Sequence, residues 1–545
     1  MKLYEYIDKC FIELGIEKVF GVPGSLIMPI WQGITKAEVI LCSHEQEASY
    51  LATGYSKMSR KPVAVITTGG PGVTNCVSGV ASANIDSIPL IYISGRTPIC
   101  ENGLGLKQEE SHYNRMYEST KILTNFTKKS VCIDNIYIAT RLIKSTMLDA
   151  LRGRQGAVHI SVPIDIQKLD VLEKTTISRV SRTISNSDEI TKFSLTNRPL
   201  FIIGWGCWLS NSFSDIYELA KKINAPTLVT SKAYCCIEYM NPLYIGKLGY
   251  GNNQVIDQFI KWYNPDSIVA FGSSLGKKDL DGSILSELIN KVDTYIVTNE
   301  FNRRMIEKEQ FKIVLTSDIK KFISMLSNKT TTQNRNIQLL SRIIDMKNRT
   351  KKYWEDRIEN RDDMAKAISV LNEKCDERIV VTADAGNHLA NVGAIFVPKT
   401  SGAMFLDVGL RAMGTGICTA VGMAIADNKK TYIAVTGDGS MLMNGNVLHV
   451  AKERNLPVVF IVFNNNTLGR VRIGQSIMND YRATDILNVN FQYYGRSFGL
   501  QTYYFTSISE FEKNIDSIIY EHKTSLVEIL TNHDEIPLSV KGNLF

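Results

Sequence analysis

Gly437-Asp438-Gly439-Ser440 is the stretch that decides the fold, together with the pair Asn464-Asn465 further along the chain. An apolar run at residues 431–435 precedes the first segment, and a second apolar run at residues 458–463 precedes the asparagine pair. Runs of this kind predict two fully buried strands, and glycine on both sides of the aspartate permits a sharp turn after the first. Helical spacing between them predicts a strand–helix–strand unit of a parallel sheet.

The ends of these two strands predict a metal site. The carboxyl ends of parallel strands lie at the same edge of a sheet, where α/β proteins bind ligands. This edge would bring together the Asp438 carboxylate, the Asn465 amide and a loop carbonyl. Three such oxygens suit Mg²⁺, which completes its octahedron with phosphate oxygens and water. The alternative is a tight turn without a ligand, because glycine and aspartate favour turns for steric reasons alone.

Length and composition describe a large globular protein. The 545 residues are enough for about three domains of ordinary size, and 44% of them are apolar. The net charge of +7 is not concentrated in blocks, which gives little reason to expect a nucleic acid as partner. No apolar run has the length of a membrane span. The ten cysteines include no CxxC pair, and with no recognisable signal peptide we expect a reduced, cytoplasmic setting.

The first third of the chain contains a candidate catalytic carboxylate. Residues 39–42 predict a buried strand, and Ser43 with Gln46 predicts a capping box that starts the next helix. Glu45 lies in the first turn of that helix. The helix dipole favours a carboxylate there for structural reasons, so a capping role is the alternative to a catalytic one.

A glycine-rich loop follows the next predicted strand. Thr68-Gly69-Gly70-Pro71-Gly72-Val73-Thr74-Asn75 permits a close backbone approach to a ligand. Together with His44-Glu45-Gln46-Glu47-Ala48 it resembles the pyrimidine-binding domain of the acetolactate synthase group of thiamine-diphosphate enzymes. In that group an HEQxA helix supplies the catalytic glutamate, and a TSGPGxTN loop approaches the cofactor. The resemblance implies that Glu45 is catalytic and that Gly70 and Asn75 contact the cofactor.

The same resemblance assigns residues to the substrate side. Gln108 matches the glutamine of an FQE segment that lies near the substrate in the family, and we assign it a catalytic role. Lys107 stands where that segment has its phenylalanine. Lys107 and Ser25, which follows Val22-Pro23-Gly24, are predicted to contact the substrate.

The middle of the chain predicts a second α/β unit. Strand-like runs begin at residues 200, 226, 267 and 294, with helical spacing between them. In the biosynthetic acetolactate synthases the corresponding domain holds FAD. Phe271-Gly272-Ser273-Ser274 lacks the arginine that those proteins would place at Ser274. We therefore expect a Rossmann-like spacer without FAD.

The last third resembles the diphosphate-binding domain of the family. Gly386, Asn387 and His388 stand in place of a GQH segment that contacts the diphosphate, and Met413 stands where a bulky apolar residue lies beneath the bent cofactor. The resemblance further implies diphosphate contacts at Gly437, Gly439 and Ser440. It assigns Mg²⁺ to three ligands, namely Asp438, Asn465 and the carbonyl oxygen of Thr467.

The resemblance covers nearly the whole chain and implies three α/β domains, each a mostly parallel sheet flanked by helices. We place them at residues 1–171, 198–327 and 362–545, with linkers at about 172–197 and 328–361. In the family the catalytic glutamate and the metal site meet across a subunit interface. A homodimer is therefore the expected minimum, and a homotetramer is compatible with the resemblance.

The implied activity is a thiamine-diphosphate-dependent carboligation. A 2-oxo acid such as pyruvate would be decarboxylated, and its acyl unit would be transferred to an acceptor carbonyl. The alternative within the family is a non-oxidative 2-oxo-acid decarboxylase. A non-catalytic protein on the same fold is the third hypothesis, although such a protein would be expected to lack Glu45.

The segment after the asparagine pair bears on the acceptor. Biosynthetic members have a methionine at the place of Arg470 and a tryptophan at the place of Gly474, and that tryptophan favours 2-oxobutyrate. Arg470 and Arg472 instead predict a larger or anionic acceptor, because a guanidinium can hold a carboxylate or phosphate with two hydrogen bonds. The alternative is that both arginines point into solvent.

Overall fold

The structure, a computed structural model, describes residues 1–110, 117–171, 192–300, 313–359, 361 and 363–538. These residues form three six-stranded sheets, in which every pair of neighbouring strands is parallel. Parallel strands need long crossover connections, and helices supply most of them here. The predicted α/β architecture with three mostly parallel sheets is confirmed.

The first sheet has the strand order β2-β1-β3-β4-β6-β5. Its strands are β1 (Lys18–Gly21), β2 (Glu38–Leu41), β3 (Val63–Thr67), β4 (Leu90–Arg96), β5 (Lys129–Cys132) and β6 (Val158–Pro163). Its helices are α1 (Leu3–Leu14), α2 (Met28–Gly33), α3 (Glu45–Ser59), α4 (Pro71–Ile85), α5 (Ser119–Thr124), α6 (Ile136–Leu151) and α7 (Ile164–Gln167).

The second sheet has the order β12-β11-β10-β7-β8-β9. Its strands are β7 (Pro199–Ile203), β8 (Thr227–Val229), β9 (Tyr244–Lys247), β10 (Ser267–Phe271), β11 (Asp293–Thr298) and β12 (Ile313–Thr316). The helices of this unit are α8 (Trp205–Leu209), α9 (Phe213–Ile223), α10 (Gln254–Tyr263), α11 (Lys277–Leu280), α12 (Leu285–Leu288) and α13 (Ile319–Lys329). A long helix, α14 (Ile337–Glu359), leads to the third unit and packs against α10.

The third sheet has the order β14-β13-β15-β16-β18-β17. Its strands are β13 (Ile379–Ala383), β14 (Met404–Leu406), β15 (Thr431–Gly437), β16 (Val458–Asn464), β17 (Gln501–Phe505) and β18 (Ser525–Leu530). Its helices are α15 (Asp363–Lys374), α16 (Asn387–Ile395), α17 (Thr415–Ala426), α18 (Asp438–Asn444), α19 (Val447–Glu453), α20 (Gly469–Ser476), α21 (Phe491–Ser497) and α22 (Ile508–Ile519).

Helices α3 and α17 hold the first and third units together. A Cβ atom added at Gly54 would lie 2.3 Å from the carbonyl oxygen of Thr419, and one added at Gly422 would lie 2.0 Å from that of Leu51. Only glycine permits two helix backbones to approach this closely. Almost all of α3 is buried as a result, including polar residues such as Glu47 and Lys57.

Two details of the sequence interpretation are wrong. Strand β2 is an edge strand in which only Ile40 is buried, so it is not a fully buried strand. Helix α3 is capped by His44, whose Nδ1 accepts a hydrogen bond from the backbone N–H of Gln46, and not by Ser43. The second predicted linker, for which the polar sequence also predicts helical stretches, contains the helix of residues 337–359. Most of the first predicted linker, residues 172–191, lies outside the described residues.

Within the described part of the chain, no helix combines the length and the hydropathy that a membrane crossing requires.

Candidate active site

Three neighbouring strands of the third sheet bring the predicted diphosphate residues together. Strands β13, β15 and β16 are adjacent, and β15 pairs with β16 in a register that sets Gly437 opposite Phe463. The segments after these strands begin at Asp384, Asp438 and Asn465. Because parallel strands end at one edge, the three segments form a single cluster, as the sequence predicts for the last two.

The Asp438 carboxylate lies at the centre of this cluster and is buried. Its Oδ1 accepts a hydrogen bond from the backbone N–H of Gly439 at 2.7 Å, and its Oδ2 accepts one from the backbone N–H of Asn465 at 3.2 Å. Burial raises the pKa of Asp438 because the charged form loses its hydration. A cation bound here would stabilise the charged carboxylate.

The other two predicted metal ligands follow β16. The Asn465 side-chain oxygen accepts a hydrogen bond from the backbone N–H of Thr467 at 3.3 Å, and the Thr467 carbonyl accepts one from Gly469 at 2.8 Å. A Cβ atom added at Gly469 would lie 3.0 Å from the amide nitrogens of both Asn387 and Asn465. The absence of a side chain at Gly469 thus allows Asn465, a predicted metal ligand, to lie close to Asn387, a predicted diphosphate contact.

The start of α16 supplies the diphosphate-side residues. Gly386 has φ of 154°, a conformation that favours glycine, and it leads into Asn387 and His388. Two buried atoms here, Oδ1 of Asn387 and Nε2 of His388, have no hydrogen-bond partner among the described residues. Burial lowers the pKa of His388 to about 4, so its ring is neutral near pH 7.

A cavity of about 330 Å³ lies beside this cluster. It is separate from a cavity of about 430 Å³ elsewhere in the molecule. The smaller cavity is lined by predicted residues of the cofactor and metal set: Gly386, Asn387, His388, Met413, Gly437, Asp438, Gly439, Ser440, Asn465 and Thr467. A Cβ atom added at Gly439 would lie 2.9 Å from the Met413 methyl carbon, so Met413 lies directly against the glycine turn. Ser440 is buried in the first turn of α18.

These residues fit thiamine diphosphate and Mg²⁺. One carboxylate, one side-chain amide oxygen and one carbonyl oxygen are hard oxygen ligands that leave positions for phosphate and water. The unpartnered polar atoms of Asn387 and His388 are free to hydrogen-bond to a polar ligand in this cavity. Among the described residues there is no cluster of three or more His, Cys, Asp or Glu side chains for a different kind of metal site.

Two arginines lie at the same cavity, and a third lies outside it. Arg411 and Arg470 line the cavity, and within the described part of the chain neither guanidinium has an ion pair. Burial, and to a lesser extent the nearby positive charge of Arg470, lowers the pKa of Arg411. Arg472 instead pairs with Asp534 at 3.0 Å and with Asp485 at 3.2 Å. Of the two arginines predicted for the substrate, only Arg470 therefore faces the cavity.

The carboxyl edge of the first sheet holds the predicted catalytic glutamate. Glu45 begins α3 and is buried, and its Oε2 accepts a hydrogen bond from the Asn75 side-chain amide at 3.0 Å. Asn75 was assigned to the cofactor, and here it holds the Glu45 carboxylate. Glu47, two residues further along α3, is fully buried, and burial raises its pKa to about 7.

The glycine-rich loop lies beside the predicted substrate glutamine. Gln108 has φ of 62°, and its side-chain oxygen accepts a hydrogen bond from the Thr68 hydroxyl at 3.0 Å. The backbone N–H of Gly70 donates to Oε1 of Glu110 at 3.1 Å, so a buried carboxylate fixes this loop. Two further predicted residues, Ser25 and Lys107, are exposed at this edge.

The two halves of the predicted site are separate within one chain. The 330 Å³ cavity is lined by residues of the third unit and by Tyr250, with no residue from 1–171 among those described. Glu45, Gln108, Gly70 and Asn75 therefore do not line the cavity at Asp438.

Sequence reasoning missed several residues of the site. Arg411 has φ of 63° and lines the cavity. Tyr250 lines it from the middle unit, with its ring 5.6 Å from the Arg411 guanidinium carbon. Glu47 and Glu110 are buried carboxylates next to the predicted motifs. Of these residues, only Glu47 and Glu110 could have been identified from the sequence, because each is an acidic residue close to one that the motifs assign.

The sequence of the chain matches known proteins over nearly its full length. Three family models match, each described as a thiamine pyrophosphate enzyme domain: the N-terminal TPP binding domain over residues 1–116, the central domain over residues 190–326 and the C-terminal TPP binding domain over residues 384–529.

Several relatives are named acetolactate synthases. The acetolactate synthase isozyme 1 large subunit of Escherichia coli (strain K12) is 25% identical, over 97% of this chain and 94% of its own length. The acetolactate synthase large subunit of Lactococcus lactis subsp. lactis is 26% identical, over 96% and 91%. The probable acetolactate synthase large subunit of Methanococcus aeolicus is 26% identical, over 86% and 82%. With all three domains matched, this chain belongs to the thiamine pyrophosphate enzyme family and, within it, to the acetolactate synthase-like group.

Proposed function

We propose that this protein is a carboligase that decarboxylates a 2-oxo acid such as pyruvate and transfers the acyl unit to an anionic acceptor carbonyl. The observation that carries the proposal is the pair Arg411 and Arg470 at the diphosphate cavity. Two guanidiniums without ion pairs among the described residues form a strong site for a carboxylate or phosphate. A simple decarboxylase protonates the acyl unit and releases it as an aldehyde. It has no acceptor to bind and therefore needs no second anion site.

The cofactor would be held by residues of the third unit. Asp438, Asn465 and the Thr467 carbonyl would hold Mg²⁺, and Asn387 and His388 would contact the diphosphate. When bound, thiamine diphosphate supplies an electron sink that permits carbon dioxide to leave a 2-oxo acid.

The chain's own residues supply proton control and positioning. Glu45 would hold and release the proton that activates the cofactor, and Asn75 fixes the position of its carboxylate. Gln108 and Lys107 would contact the substrate from the first unit. Met413 lies against the glycine turn, where it would support the bound cofactor.

A complete site requires a second subunit under this proposal. Glu45 and Asp438 do not line a common cavity within one chain, whereas the family unites them at a subunit interface. We propose a homodimer as the minimal active unit, and a tetramer would contain two such dimers.

We propose no FAD in the middle unit. A cavity of about 490 Å³ lies at the carboxyl edge of the second sheet, lined by Trp205, Ser274 and two carboxylates, Asp279 and Glu300, as well as by Arg154 and Lys232. The two carboxylates offset the positive charge of Arg154 and Lys232, and the arginine that the family would place at Ser274 is missing. We also propose a cytoplasmic location, in keeping with ten free cysteines.

Product analysis tests the proposed reaction. The protein is incubated with thiamine diphosphate, Mg²⁺ and labelled pyruvate, with 4-carboxybenzaldehyde or benzaldehyde as acceptor. We expect labelled acyloin, with a higher kcat/KM for the charged acceptor. Acetaldehyde alone, whichever acceptor is present, would identify a decarboxylase. Cofactor binding without turnover of any 2-oxo acid would indicate a non-catalytic protein.

Arginine variants test the acceptor site. Arg470→Met and Arg411→Met should each lower kcat/KM for the charged acceptor by about tenfold, the loss of one charge-assisted hydrogen bond, and leave benzaldehyde unaffected. Arg472→Met is the matched control, because its side chain pairs with Asp485 and Asp534. Equal losses for both acceptors would refute an anion-binding role.

A further inference from the structure

A cavity of about 430 Å³ lies where the middle unit, helix α14 and the third unit meet, and none of the residues assigned to the reaction lines it. Its walls are mostly apolar and aromatic, formed by Tyr239, Tyr244, Ile256, Met346, Trp354 and Ile358. This volume lies within the range of sites for small organic ligands, which also combine apolar walls with a few polar groups.

Two lysines in this cavity have no acidic partner. The Lys247 ammonium donates to the carbonyl oxygens of Ala394 at 3.0 Å and Phe396 at 2.9 Å. The Lys347 ammonium donates to the carbonyls of Tyr239 at 2.9 Å and Asn241 at 3.0 Å. Among the described residues neither lysine forms an ion pair. Each ammonium has three N–H donors, so each keeps one beyond these two hydrogen bonds. The nearest tyrosine rings offer only a weaker cation–π contact, with Lys247 Nζ 5.3 Å from the Tyr234 ring and Lys347 Nζ 5.2 Å from the Tyr239 ring.

The surroundings make these positive charges costly. Lys247 is 6% exposed, and burial lowers its pKa to about 7, while burial lowers the pKa of Lys347 to about 8. Buried charges in proteins are normally paired. The two carboxylates that line the cavity do not meet this need, because Glu355 is exposed and pairs with Lys351 at 3.6 Å, and Glu373 is exposed.

We propose that this cavity binds a small organic anion with an apolar, aromatic body, which places its carboxylate, sulfonate or phosphate between Lys247 and Lys347. The aromatic walls would hold the body of the ligand, and the remaining N–H donors of the lysines would hold its charge. The ligand would contact Lys247, which donates to the Ala394 carbonyl near the carboxyl end of α16. The same helix begins at Asn387, so it connects this cavity to the predicted diphosphate contacts.

A fluorescent anion of this chemistry tests the proposal. The protein, loaded with thiamine diphosphate and Mg²⁺, is titrated with 8-anilinonaphthalene-1-sulfonate and, separately, with the uncharged N-phenyl-1-naphthylamine. Lys247→Met and Lys347→Met should each weaken binding of the sulfonate by at least about tenfold, as the loss of a charge-assisted hydrogen bond predicts. The affinity for the uncharged probe should stay within about twofold. Arg470→Met is the control for binding at the other cavity.

The position of the bound probe is tested separately. Trp354 lines the cavity, so Trp354→Phe should remove most of the probe emission that is excited through tryptophan, whereas Trp31→Phe in the first unit should not. This readout and Lys347→Met suffice if Lys247→Met fails to fold. Unchanged sulfonate affinity in Lys347→Met, or unchanged energy transfer in Trp354→Phe, would overturn the proposal and leave the lysines as caps of carbonyl groups.

Discussion

A site shared between subunits predicts that two inactive variants rescue each other. Glu45→Gln keeps the start of α3 but cannot transfer the proton, and Asp438→Ala removes the one formal charge of the proposed metal site. Each homodimer should be nearly inactive. In the heterodimer one site combines both lesions, whereas the other combines an intact Glu45 with an intact Asp438.

The structure sets the magnitude of this rescue. The cavity at Asp438 has no lining residue from 1–171 among those described, so each site would take its glutamate from the partner. The purified heterodimer should therefore have about half of the wild-type activity, because one of its two sites is intact. If each chain held a whole site, every site would carry a lesion and the heterodimer would stay inactive.

The assay needs heterodimers of known composition. The two variants are coexpressed with different affinity tags, purified over both tags, and assayed for consumption of pyruvate with saturating cofactor and Mg²⁺. The matched control is the heterodimer of an Asp438→Ala chain with an Asn465→Ala chain. Both substitutions lie in the third unit, so each of the two sites contains one of them. An inactive Glu45→Gln/Asp438→Ala heterodimer, or an equally active control, would refute the shared site.

Three further predictions concern the fold and the cofactors. Gly422→Ala should lower the free energy of unfolding by about 2 kcal/mol in denaturant titrations, because its Cβ would lie 2.0 Å from the Leu51 carbonyl oxygen. Gly276→Ala is the control: its Cβ would have no atom within 4 Å, so the free energy of unfolding should change by less than about 0.5 kcal/mol. The raised pKa of Glu47, about 7 against an ordinary 4.5, means that the folded state binds the proton more tightly and loses stability as pH rises through this interval. Glu47→Gln should therefore be more stable than wild type by about 3 kcal/mol at pH 8, with the difference vanishing near pH 4.5; a difference independent of pH would contradict this reasoning. Purified protein should lack flavin absorbance, and a stoichiometric flavin spectrum would show that the loss of the arginine at Ser274 does not prevent FAD binding.

The sequence by itself determined the strands and the motif residues at their ends. Buried strands such as β10 and β16 follow from uninterrupted apolar runs, and the glycines around Asp438 mark the turn between strand and helix. These signals are local, because hydrophobic burial and turn sterics act over a few residues. The neighbourhood of Asp438 and Asn465 also followed from the sequence, since parallel strands end at one edge.

Only the tertiary structure decided which side chains share a cavity. The sequence assigned Arg470 and Arg472 alike to the acceptor, yet only Arg470 lines the cavity at Asp438, whereas Arg472 pairs with Asp485 and Asp534. Arg411 also lines that cavity, although its distance from Arg470 in the sequence gave no sign that the two belong together. Strand β2 has an apolar sequence but lies at the sheet edge. Strand order, helix crossings and side-chain direction depend on packing between distant segments, and a local pattern of residues carries no information about which segment lies opposite.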